Sequence, residues 1–155
     1  IIQTFIYNTK DKKQILYISN SEGGVEIEVG QETADLYDSV LPNRFWSIVA
    51  DCARPETISA MRRLGFKMRP SKKGPGSIED GIKFIKSFKK VVIHPRCTGV
   101  IDEFKKYSYK VDKMTGEILP IIVDKHNHFI DAARYALEPV MRRAKEIKKR
   151  KYLTG

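Results

Sequence analysis

From Trp46 onward, short apolar runs alternate with segments of helical period, and this alternation constrains the fold more than any other feature. Trp46-Ser-Ile-Val-Ala50 is a continuous apolar run of the kind that forms a strand covered on both faces. After Arg54-Pro55 a helix is predicted over Glu56 to Leu64, with Ile58, Met61 and Leu64 on one face and Gly65 closing it. Phe66 to Arg69 and Val91 to Ile93 read as the next short strands. Between them the turn-rich stretch Pro70 to Gly76 leads into a helix that Ser77 is expected to N-cap. Asp80 then takes the capping-box position, and Ile78, Ile82, Ile85 and Phe88 form the inner face. Upstream, Ile2 to Tyr7 and Gln14 to Ser19 read as a hairpin joined by residues 8–13. Gly23 and Gly24 punctuate, and a short helix follows from Glu32 to Val40, with Ala34, Leu36 and Tyr37 inward and Pro42 as its stop. Downstream come a helix over Val100 to Tyr107, a turn at Asp112 to Gly116 and an extended segment from Ile118 to Val123. A last helix from Asn127 to Lys149 has Ile130, Ala133, Leu137, Val140, Met141 and Ala144 on its apolar face. Strands first, then strands alternating with helices, predict an α/β domain: a mixed sheet covered by helices on both faces.

A chain of 155 residues fits one domain with a sizeable core. Its 29 Lys and Arg against 19 Asp and Glu give a net charge of +10, an excess that favours phosphate backbones as partners. The excess is densest from Arg142 to Lys151, where Glu146 is the sole acid; the segment 145–155 is expected to be a basic tail fraying into solvent. No run approaches the ~18 apolar residues of a spanning helix, and the start, IIQTFIYNTKDKKQ, has no signal-peptide pattern. Cys52 and Cys97 lie in no CxxC or other metal-spaced pair and read as buried thiols of a reducing compartment. GxxxxGK[ST] is absent, so nothing supports nucleotide hydrolysis.

Two acids stand at element ends. Asp51 follows the apolar strand, at the edge where open α/β sheets usually place ligands. Asp131, in HNHFIDAARYAL (His126 to Leu137), falls near the start of the last helix, where amides stabilise an anion. Oxygen ligands of this kind suit Mg²⁺ or Mn²⁺, and in a basic chain they point to phosphodiester hydrolysis, although such sites normally use a third carboxylate. His126 and His128 form an HxH pair, a weak zinc signal with no third ligand specified. His128 is better read as a ring that positions water or packs over the site, His126 as a loop residue and Asp124 as a turn acid. Lys72, Lys73 and Gly74 form a cationic, flexible loop suited to DNA backbone contact. Arg54 and Arg96 follow strand ends as candidate phosphate clamps. Arg134 is a candidate DNA contact or, one turn beyond Asp131, a tie to a carboxylate. Phe84, Phe88, Tyr107 and Tyr109 read as packing residues, since no alternating aromatic strand offers a base-stacking platform.

The stretches WSIVADCARPETISAMRRLGF (Trp46 to Phe66), KKGPGSIEDGIKFI (Lys72 to Ile85), VVIHPRC (Val91 to Cys97), EFKKYSYKVDKMTGEILP (Glu103 to Pro120) and HNHFIDAARYAL, in this order, resemble the C-terminal nuclease domain of the large terminase subunit of tailed bacteriophages. The resemblance implies an RNase H-like fold over residues 1–144 and a metal-dependent endonuclease that cuts concatemeric double-stranded viral DNA during packaging. It implies Asp51 and Asp131 as metal-binding aspartates, His128 and the Lys72 to Ser77 loop as the rim of a DNA cleft, and two Mg²⁺ or Mn²⁺ ions in the complete site. The family's first aspartate lies on a strand ahead of the segment equivalent to Ile1 to Tyr7, so the domain is expected to lack that first strand, and the upstream ATPase domain with it. The implied partners are that ATPase domain, the small terminase subunit and the portal, with no membrane, in the cytoplasm of the infected bacterium. Two other readings stay open: a DNA-binding or packaging-interaction module inactive on its own, and an RNase H-like recombination nuclease.

Overall fold

The computed structural model describes residues 1–11, 13–22, 29–107, 109–122 and 127–153. Its elements, in chain order, are β1 (Ile2–Asn8), β2 (Gln14–Ser21), α1 (Gln31–Val40), β3 (Ile48–Ala50), α2 (Pro55–Arg63), β4 (Met68–Pro70), α3 (Ser77–Lys86), β5 (Lys90–Ile93), α4 (Thr98–Lys106), β6 (Tyr109–Val111), β7 (Ile118–Ile122) and α5 (His128–Leu153). Strand pairing is mixed: β1 runs antiparallel to β2, β2 parallel to β5, β3 parallel to β4, and β6 antiparallel to β7. The order is β1-β2-β5 in one sheet and β3-β4 in another. One edge of β1 and one edge of β3 therefore pair with no strand among the described residues.

Side-chain alternation decides what covers β2. Leu16 and Ile18, two residues apart, share a face, and both are fully buried. Leu16 packs with Ile85 and Phe88 and with Ala133 and Leu137 of α5, and Ile18 packs with Cys97 and Val100. The opposite face of the hairpin carries rings instead: Phe5 meets Trp46 edge-on and Tyr7 meets Tyr17. A second core joins Ala34, Ile58, Met61, Phe66 and Met68 from α1, α2 and the approach to β4. Gly65 ends α2 as expected. At φ 91° its amide reaches Arg62 O, and Phe66 N–H reaches Met61 O, the paired bonds of a left-handed C-terminal cap.

Four local expectations are corrected. β3 is limited to Ile48–Ala50 and half-buried, with Trp46 40 % exposed. Among the described residues it pairs only with β4, and Ile48, Val49 and Ala50 line a cavity, so the strand is only half-buried. Ser77 is the first helical residue of α3, not its cap, because Gly76, at φ 73°, turns the chain one residue earlier. Ile78 is 45 % exposed, and the buried face begins at Gly81 and Ile82. The last helix does not fray after Ala144; it continues through Leu153 with Pro139 inside it, though among its described side chains the last buried ones are Leu137 and Glu138, and Val140 is exposed. Gly23, Gly24, Val123, Asp124 and His126 lie outside the described residues, as do the side chains of Lys148 to Lys151 and of Tyr109.

Candidate metal and DNA site

A cavity of about 470 Å³ separates β1 from β3, lined by Ile1 to Thr4 on one side and Trp46 to Asp51 on the other. α5 forms its wall with His128, Asp131 and Tyr135. Asp51 enters it because β3 ends at Ala50 and the chain turns, with Ala53 N–H donating to Asp51 Oδ1 at 2.9 Å. Asp131 enters it from the first turn of α5. The two aspartates picked out in the sequence thus come from different elements to one cavity, and His128 comes with them.

Each aspartate has a cation beside it. Lys73 Nζ lies 2.6 Å from Asp51 Oδ1, and Tyr135 Oη donates to Asp51 Oδ2 at 3.4 Å. Partial burial pushes the Asp51 carboxyl upward, but the Lys73 ammonium, the Ala53 amide and the Tyr135 hydroxyl outweigh it and hold the group below its ordinary value. The same contact raises Lys73. Burial, reinforced by the charges of Asp131 and Asp51 against the opposing Lys73, raises the Tyr135 phenol. Arg134 places Nε at 3.1 Å and Nη2 at 2.5 Å from Asp131 Oδ1, while Nη1 donates to Ser77 O at 3.3 Å. Its side chain is only 6 % exposed. Arg134 is thus buried and tied to Asp131, the second of the two positions its place in the sequence allowed.

The other candidates divide by position. Lys72, Lys73 and Gly74 are exposed on the loop over the cavity edge, and nothing lies within 4 Å of where a Gly74 Cβ would stand. Arg54 is exposed at the start of α2, three residues after Asp51. Arg96 is not brought to the site. It follows β5, which β2 separates from β1, and its Nε donates to His94 Nδ1 at 2.9 Å.

Two buried acids were not singled out in the sequence. Glu103, 7 % exposed, accepts the Phe129 and Ile130 amides on Oε2 at 2.7 and 3.2 Å, and so caps the N-terminus of α5 from α4. Its signal was an acid three residues after Val100, on the apolar face of a helix. Glu138, 6 % exposed, accepts the Lys72 amide at 3.1 Å and faces Arg69 and Arg142 at 3.9 and 3.5 Å. It anchors the base of the cationic loop, one turn beyond Arg134.

The donor chemistry fits a hard divalent cation in part: two carboxylates converge, and a lysine ammonium already occupies a cation's place on Asp51. Among the described residues no group of three or more His, Cys, Asp or Glu side chains converges, which leaves the ligand set short and gives the zinc reading no third ligand.

A family model described as the terminase RNase H-like domain matches residues 37–139. The chain is 37 % identical over 111 residues to the terminase large subunit of Bacillus phage SPP1, covering 68 % of this chain and 26 % of that protein. It is 36 % identical over 91 residues to the PBSX phage terminase large subunit of Bacillus subtilis strain 168, covering 59 % and 21 %. The chain thus spans about a quarter of these relatives' length. Its fold is similar to that of the g2p large terminase nuclease domain from bacteriophage SPP1, crystallised with bound Mn. The TM-score is 0.68 at 28 % identity, over 88 % of this chain and 76 % of that one. The mixed sheet flanked by helices is the RNase H-like arrangement of that structure.

Proposed function

The chain belongs to the RNase H-like nuclease domains of tailed-phage terminase large subunits, and from that premise we propose that it is an endonuclease that cuts double-stranded DNA with divalent metal ions. The observation that carries this reading is the meeting of Asp51 and Asp131 in one cavity beneath a lysine-bearing loop. Asp51 and Asp131 would hold Mg²⁺ or Mn²⁺, with two ions in the complete site; the similar SPP1 domain has Mn bound. When bound, such ions supply an activated water and charge stabilisation at the departing 3′ oxygen. Arg134 fixes the orientation of Asp131, His128 orients water at the rim, and Lys72, Lys73 and Arg54 meet the DNA backbone. The domain spans 1–144, followed by a basic extension over 145–155 in which α5 continues through Leu153. The proposed substrate is concatemeric viral DNA in the cytoplasm of the infected bacterium, and the proposed partners are an ATPase domain, the small terminase subunit and the portal. No helix among the described residues is long and apolar enough to cross a membrane.

A second reading has its own support. Among the described residues only two carboxylates converge, and β1 and β3 each keep an edge that pairs with no strand. On that reading the chain binds DNA, and cutting requires an acid supplied from elsewhere. Plasmid nicking in Mn²⁺ by the chain and by Asp131→Ala separates the two. Cleavage lost in the variant supports the nuclease. DNA retention without cleavage in either protein supports the binding module.

A further inference from the structure

Asp51 and Asp131 each face a cation, but the two cations are built differently. Arg134 is buried, makes two bonds to Asp131 Oδ1 and is held by Ser77 O, so it has nowhere to go. Lys73 is 43 % exposed, and its ammonium reaches Asp51 Oδ1 from the end of a long, flexible stem. The main chain just before it is pinned, because Lys72 N–H donates to the buried Glu138. Beyond it, Gly74 has open space around it and Gly76 turns at φ 73°. The base of the loop is therefore fixed while the Lys73 side chain can swing. An ion pair this exposed contributes little to stability, so stability does not account for its placement. Asp51 Oδ1 already takes both the lysine and the Ala53 amide, and a second cation on that oxygen would repel the first.

Resting on the metal-site reading above, we propose that Lys73 is an exchangeable counter-ion of Asp51: it neutralises this carboxylate in the metal-free protein and leaves it for a DNA phosphate when a divalent ion binds. Lys73 is then a substrate-binding residue whose availability depends on metal loading. Lys72 carries the same charge one residue away, has no contact with Asp51 and provides the internal control.

The test is Mn²⁺ titration of the intact chain without DNA, followed by electron paramagnetic resonance of the unbound ion, for wild type, Lys73→Met, Lys72→Met and Asp51→Asn. Lys73→Met is expected to bind Mn²⁺ at least about tenfold more tightly, the scale on which one adjacent charge changes a carboxylate's affinity for a cation. Lys72→Met is expected to change it by less than about threefold, since an exposed charge without contact is screened. If Asp51→Asn weakens binding but the two lysine variants coincide, or Lys73→Met binds more weakly than wild type, the metal site stands and the exchange is overturned. If Asp51→Asn binds Mn²⁺ as wild type does, the metal-site reading itself fails, and the exchange with it.

Discussion

Glu103 holds the helix that carries Asp131 and His128, and its replacement has a cost that follows from the geometry. Its carboxylate is 7 % exposed and takes two main-chain amides, Phe129 at 2.7 Å and Ile130 at 3.2 Å. Glu103→Ala leaves both donors at the N-terminus of α5 without this acceptor. Each orphaned donor costs about 1 kcal/mol at the low end of the usual range, and losing an anion at a helix N-terminus costs about another 1 kcal/mol. The expected loss is about 3 kcal/mol. With an unfolding entropy of roughly 2.1 cal/mol/K per residue over this length, the melting temperature falls by about 9 °C. Glu103→Gln keeps an acceptor oxygen but not the charge and is expected to lose about 1 kcal/mol. Urea denaturation measures both variants, and native-state hydrogen exchange reads the Phe129 and Ile130 amides directly. A loss under about 0.5 kcal/mol in Glu103→Ala, or unchanged exchange at those amides, would refute the argument that this acid caps α5.

Three further outcomes follow from the same structure. Gly81→Ala gains about 1 kcal/mol of helix propensity, but its Cβ would sit 2.7 Å from Arg134 Cδ and 3.0 Å from Cγ. That crowding costs about 1–3 kcal/mol. Urea melts should show a net destabilisation near 1 kcal/mol, and Mn²⁺-dependent nicking should fall because Arg134 is pushed off Asp131; a more stable variant with unchanged nicking would refute this. Asp51 is depressed in the folded state, so its contribution to stability is complete above the unfolded carboxylate value near ~4 and is lost as pH falls through the folded value. Carboxyl NMR should show the Asp51 value rising in Lys73→Met, with a shallower acid-side loss of stability; an unmoved Asp51 would contradict the pairing. Lys72→Met should reduce the slope of log binding constant against log salt for duplex DNA by about 0.9, the share of one phosphate contact, whereas an unchanged slope would take Lys72 off the DNA surface.

The Asp51 and Asp131 positions were legible because each acid interrupts a strong local pattern, one ending an apolar run and the other opening an amphipathic helix. Element order was legible for the same reason, since periods of 2 and 3.6 residues are local properties of the chain. Errors gathered where local pattern met tertiary context. Trp46 looked like part of a buried apolar run, yet it is 40 % exposed because the approach to β3 lines a cavity, whereas Val40, which the helical pattern did not place inward, is 4 % exposed.

Roles of charged side chains divided along the same line. The sequence by itself determined the kind of fold and the family and singled out the two aspartates as candidates, because motif and periodicity survive without knowledge of neighbours. Tertiary structure alone decided that Arg134 is buried against Asp131, that Arg96 bonds His94, that Glu103 caps a helix 26 residues away, and that Lys73 rests on Asp51. A charged group's role is set by which opposite charge or amide lies within about 3 Å of it, and that distance exists only once the chain has folded.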